Sequence, residues 1–102
     1  MGSVIANGVW TAKEGREDEF VSAWKELAAW VVATFPDEAR PPSLYRDLDH
    51  RSRFVAFDEW GSSEAIVACR RHPDFRARIA ALLGGPLEGV DGAMLEPVVL
   101  PG

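Results

Sequence analysis

The run FVAFDEW, Phe54 to Trp60, places a carboxylate two residues before a tryptophan. Side chains two apart on a strand share a face, so Asp58 and Trp60 would look into the same space. A tryptophan there has two readings. It walls a site, stacking a planar molecule or donating from Nε1 to a substrate oxygen, or it packs as a core residue that closes the end of a sheet. A carboxyl group beside it in apolar surroundings would hold its proton to higher pH and could serve as a base toward a phenol. Against this, Asp58 could pair with Arg46 or Arg53, or stand at a solvated strand end. Asn7, within the apolar run VIANGVWTA, needs a hydrogen-bond partner whether that partner is a ligand or the protein. His72, just before Pro73, reads as a helix cap or loop residue rather than a base, and His50 as a solvated turn residue.

Other chemistries are excluded. One cysteine and two histidines, without carboxylate–histidine spacing, supply no metal ligand set. No glycine-rich phosphate loop follows a strand, which argues against nucleotide cofactors. Ser62 and Ser63 lack a plausible base and read as helix caps, and Cys69 reads as packing. The formal net charge of −5 comes without a basic face, so no nucleic-acid partner is expected. A lone cysteine forbids an internal disulfide and fits a reducing, cytoplasmic setting. Neither a membrane span nor a secretion signal is expected, because there is no apolar run of eighteen residues and no signal pattern at the start.

The elements that must position these groups follow from periodicity. With 102 residues, 47% hydrophobic and 26% charged, the chain is expected to form one domain over residues 1–102, its core spanning about 4–100. Val4 to Ala12 reads as a strand in which Gly8 marks a bulge or a close approach by another backbone. Phe20, Trp24, Leu27, Val31 and Phe35 fall on one face of a helix predicted over Arg16 to Phe35, which Pro36 ends. Ser43–Asp49 and Arg53–Trp60 read as a hairpin. A serine cap opens a helix to about Arg71, and Pro73 starts another that runs to Leu83. Ala93 to Leu100 reads as a last strand, with Pro97 placing it at an edge or bulge.

The order β-α-β-β-α-(α)-β is the split ferredoxin-like arrangement, an α+β fold with a four-stranded antiparallel sheet and helices on one face. The strands are nevertheless apolar on both parities. Phe54, Ala56 and Trp60 point one way and Val55 and Phe57 the other, and Val98 and Leu100 alternate similarly with Leu95, Pro97 and Val99. A second copy of the sheet is the simplest second cover, which predicts a homodimer packed face to face. Tyr45 and Arg46 must face opposite ways, one toward the helices and one toward that interface.

VWTAKEGREDEF, SLYRDLD, FDEWGSSEAI and RHPDF, in this order and at these spacings, resemble the antibiotic biosynthesis monooxygenase family of dimeric α+β barrels over about Val4 to Val99. The resemblance implies a pocket between sheet and helices in each subunit. Trp60 and Trp24 would wall it, with Tyr45, Arg46, Phe75 and His72 as further substrate contacts, and Trp60, Asp58 and Asn7 as candidates for catalysis. Some members of the family oxidise anthrone-like polyketides to quinones with O2 as co-substrate and no metal or flavin; others degrade haem. The anthrone-oxidising branch carries an Asn four residues before the strand-end Trp and a Tyr six after it, where this chain has Ala56 and Ile66. The haem-degrading branch carries its iron-ligating His nineteen residues after that Trp, where this chain has Ile79. It also carries an Asn on the first strand that Asn7 matches only if one extra residue is absorbed before Gly15.

Three functions are therefore expected in order. The first is cofactor-independent oxygenation of a small aromatic or polyketide-like molecule. The second is a cyclase or isomerase of the same fold without O2 chemistry, and the third is non-catalytic small-molecule binding. Haem degradation is disfavoured.

Overall fold

The computed structural model describes residues 3–99. Strand β1 (Val4–Ala12) leads into helix α1 (Glu17–Thr34), then the hairpin strands β2 (Ser43–Arg46) and β3 (Arg53–Trp60). Helices α2 (Ser63–Arg71) and α3 (Pro73–Leu83) precede the last strand, β4 (Leu87–Leu95). The sheet is antiparallel with order β2-β3-β1-β4, the ferredoxin-like arrangement. No described helix is long and apolar enough to cross a membrane.

Local chemistry sets the helix ends. Glu17, Asp18 and Glu19 fill the first turn of α1, where the helix dipole favours negative charge. Before Pro36 its last backbone bond runs from the Phe35 N–H to the Val31 carbonyl, 2.9 Å. The Ser62 hydroxyl accepts from the Ala65 N–H at 3.2 Å and caps α2. His72 Nδ1 accepts from the Asp74 N–H at 3.1 Å and caps α3, with Pro73 in its first turn.

Three expectations need correction. The last strand is Leu87–Leu95, not Ala93 to Leu100, despite the two glycines and two acids in LEGVDGAML. Strand β1 decides this: its free side pairs continuously from Ile5↔Leu95 to Thr11↔Gly89, while Leu87 and Val90 pack inward. Pro97 lies beyond the strand, where it removes no ladder donor, and Val98 and Val99 are exposed. Leu100 lies outside the described residues. Strand β2 stops at Arg46 because Asp47 Oδ1 accepts from the N–H groups of Asp49 and His50, at 2.8 and 3.1 Å, turning the chain early. Finally, Gly8 is not a bulge. It pairs in register with both Ala56 and Gly92, and the register shift falls at Thr11/Ala12.

All three helices pack on one face of the sheet. That face carries Ala6, Gly8, Trp10 and Ala12 of β1 opposite Phe54, Ala56 and Asp58 of β3, together with Trp60. Phe20, Trp24 and Leu27 of α1 close over Trp10, Phe54 and Ala56 as the main core. A second cluster joins Ala6, Ala39 and Trp60 to Ile66 and Cys69 of α2. The opposite face carries Ile5, Val9, Val55, Phe57 and Tyr45. Among the described residues no element covers it; Tyr45 is 58% and Phe57 42% exposed, and their rings meet edge to face at 6.1 Å.

Candidate functional site

A cavity of about 350 Å³ lies between the helix-bearing face of the sheet and the helices. Its floor is Ala6, Gly8 and Ala56 with Val90 and Gly92 of β4, and Trp24, Leu27 and Val31 of α1 roof it. Ile66 and Cys69 of α2 and Phe75 and Ile79 of α3 close the side, and Arg40 and Pro42 come from the loop before β2. A cavity of this size with an apolar wall and a few polar groups suits a small ring system.

Trp60 and Asp58 both line this cavity. Trp60 is 3% exposed, its ring 5.7 Å from that of Phe35, and its Nε1 donates to Asp58 Oδ2 at 3.4 Å. Asp58 forms no ion pair with either arginine considered for it. Arg53 binds Asp47 at 3.0 Å, and the Arg46 guanidinium lies over the Phe54 ring, 4.7 Å from its centroid. Burial pushes the Asp58 carboxyl above its usual range, and the Trp60 N–H and the charge of Arg70 oppose that rise. The Cys69 thiol is pushed up to about 11, first by burial and then by the Asp58 charge, so it stays protonated near neutrality.

Trp24 and Phe75 line the cavity as well. Asn7 borders it, but strand alternation turns its side chain toward Phe57, and its Nδ2 donates to the Ala56 carbonyl at 3.1 Å. Its amide is thus engaged by the sheet. Tyr45, Arg46 and His72 do not line the cavity. Tyr45 stands on the opposite face, Arg46 packs on Phe54, and His72 caps α3 with its ring 5.0 Å from that of Trp30.

Trp10, Arg40 and Arg70 line the cavity without having been singled out from the sequence. The Trp10 indole lies across Gly8, and a Cβ at Gly8 would sit 2.6 Å from its Nε1. That nitrogen is buried and has no hydrogen-bond partner. The signal was a glycine two before a tryptophan on one strand, which share a face. The close approach at Gly8 is therefore by a side chain, not by another backbone. Arg70 follows Ile66 and Cys69 at helical spacing, which could have placed it. Arg40, in a proline-rich loop, carried no periodic signal.

The sequence profile of the antibiotic biosynthesis monooxygenases matches residues 3–81. The chain belongs to the antibiotic biosynthesis monooxygenase family. No protein with a curated description matches it. Among solved structures it is similar to SnoaB from Streptomyces nogalater, described as a cofactor-independent oxygenase. The TM-score is 0.83 at 19% identity, over 98% of this chain and 97% of that one. It is also similar to PA3566 from Pseudomonas aeruginosa (TM-score 0.77, 16% identity, 97% of each chain). A third likeness is SO0527 from Shewanella oneidensis (TM-score 0.78, 10% identity, 94% of this chain and 91% of that one). At these identities the structures support the fold.

In this member of the family, Ala56, Ile66 and Ile79 all line the cavity. The three positions at which the resemblance places polar groups of other branches are thus apolar wall here. Haem does not fit the donor set. No imidazole lines the cavity, and the described residues include no cluster of three His, Cys, Asp or Glu side chains able to hold a metal.

Proposed function

We propose that the cavity binds a planar, electron-rich aromatic or polyketide-like molecule and promotes its oxidation by O2 without a bound cofactor. The observation that carries this reading is Asp58, a carboxyl group in an apolar cavity, its ionised form steadied by the Trp60 N–H. A raised carboxyl is a stronger base, and an apolar wall keeps water from competing for it.

For an anthrone, the Asp58 carboxylate accepts a proton from the benzylic CH2 of the central ring, leaving a delocalised carbanion. The carbanion passes one electron to O2, and the radical pair combines into a new C–O bond. The peroxide takes up a proton and loses water as the ring carbon becomes a carbonyl. A CH2 group and O2 thus become C=O and H2O, with O2 as the oxidant throughout. The protein contributes binding, orientation and the proton acceptor. Trp60 and Trp24 present aromatic surface to the ring system.

The working unit in this proposal is a homodimer. The uncovered face carries Val55, Phe57 and Tyr45, and a second copy of the same face is its simplest cover.

The apolar wall at Ala56, Ile66 and Ile79 favours a second reading, a binding protein that retains the pocket without oxygenation. Oxygen uptake by the metal-free protein with a panel of anthrones and hydroquinones separates the two. The first reading expects uptake above the buffer rate for at least one anthrone. Binding without uptake across the panel leaves the second.

A further inference from the structure

The charge of the cavity wall runs against the charge of the chain. The protein carries sixteen acidic and eleven Lys and Arg residues, for a net −5. The charged side chains that line the cavity are Arg40, Arg70 and Asp58, two cations to one acid. Burial opposes ionisation of that one acid. Neither arginine forms an ion pair among the described residues, where the guanidinium–carboxylate pairs are Arg16 with Glu19 and Arg53 with Asp47. Two guanidinium groups without a carboxylate partner bias the cavity toward an anionic ligand.

Arg70 is held in place for such a partner. It stands in the last turn of α2, and its Nη2 donates to the Ala93 carbonyl at 3.3 Å. A Cβ at Gly92 would sit 3.2 Å from that same nitrogen, so the bare backbone at Gly92 lets the guanidinium lie close against β4 without crowding. One contact to a carbonyl leaves the remaining donors of the fork free, and their planar array matches a carboxylate. The charge of Arg70 lowers the pKa values of both Asp58 and Cys69, so it acts at the same end of the cavity. Arg40 is exposed, and its backbone N–H is tied to the Glu59 carbonyl at 3.0 Å. Its position suits attraction of an anion from solvent more than its final fixation.

We infer that the ligand is an aromatic acid, with its ring system in the apolar interior and its carboxylate on the guanidinium of Arg70. This rests on the reading of the cavity as an aromatic-binding site and specifies the class of molecule it takes.

The test uses two unreactive probes of one shape, anthraquinone-2-carboxylic acid and its neutral anthraquinone-2-carboxamide, titrated calorimetrically into the whole protein. The wild type should bind the acid roughly tenfold or more tighter than the amide, as expected for charge-assisted hydrogen bonds. Arg70→Gln should abolish that preference, with an unchanged circular dichroism spectrum and melting temperature showing that the variant is folded. Arg40→Gln should lose a smaller part, and that part should vanish as salt rises. Equal affinities for acid and amide in the wild type, or a preference that survives Arg70→Gln, overturn the inference and leave the aromatic site standing. Binding of neither probe overturns both.

Discussion

Trp60 Nε1 donates to Asp58 Oδ2 across 3.4 Å, linking two side chains two positions apart on the cavity face of β3. The contact stabilises the carboxylate against a burial effect that favours the neutral acid. It predicts a pH effect. Trp60→Phe keeps an aromatic ring and removes the donor, so the Asp58 pKa should rise further. Activity that needs the carboxylate rises with pH through that pKa, and the acid limb of kcat/KM should therefore move to higher pH in Trp60→Phe. An acid limb that stays in place would separate Asp58 from the chemistry.

The same raised pKa has a stability sign. A carboxyl group that holds its proton longer when folded contributes stability below its unfolded pKa, near 3.9, and loses it as pH rises through the folded value. Cys69 behaves likewise at the alkaline end, with stability lost as pH rises from its unfolded value toward about 11. At pH 8 the buried thiol should react with a disulfide reagent far more slowly in the native protein than in denaturant. Labelling as fast as that of free cysteine would refute the burial.

Gly8 and Trp10 should behave as one unit. Gly8→Ala places a methyl 2.6 Å from Trp10 Nε1 on the strand clamped between β3 and β4, so the indole must swing aside. The expected cost is about 1–3 kcal/mol, seen as a fall in Tm of roughly 4–8 °C per kcal/mol. In a Trp10→Phe background the conflicting nitrogen is gone, and Gly8→Ala should cost less. Additive losses in the double variant would show that the two positions are independent.

Much of the fold was legible because side-chain alternation and helix breakers act locally. Strand β3 and helix α3 match their predicted bounds, and the face shared by Asp58 and Trp60 follows from alternation alone. The last strand was misplaced because its position depends on what β1 offers as a partner, which overrides the weak propensity of LEGVDGAML and the strong propensity of the tail. The site was legible where a residue's phase was visible. Trp10 was hidden by reading Gly8 as a backbone irregularity, and Arg40 by lying in a loop.

The uncovered face makes an association prediction. Sedimentation equilibrium should give twice the 11.2 kDa chain mass, about 22 kDa. Charges placed on that face, Val55→Lys with Phe57→Lys, should return the single-chain mass with the helices intact by circular dichroism. A wild type that sediments at the single-chain mass would require another cover for the face.

Isotopic oxygen tests the oxygenase reading most directly. Metal-free protein is mixed with 1,8-dihydroxyanthrone under 18O2, and the product mass and rate are compared with those of Asp58→Asn. The account predicts a quinone carrying one added 18O, formed faster than in buffer. Loss of the base should cost roughly 100- to 10,000-fold in rate. A product without 18O, or a rate that Asp58→Asn leaves unchanged, would contradict it.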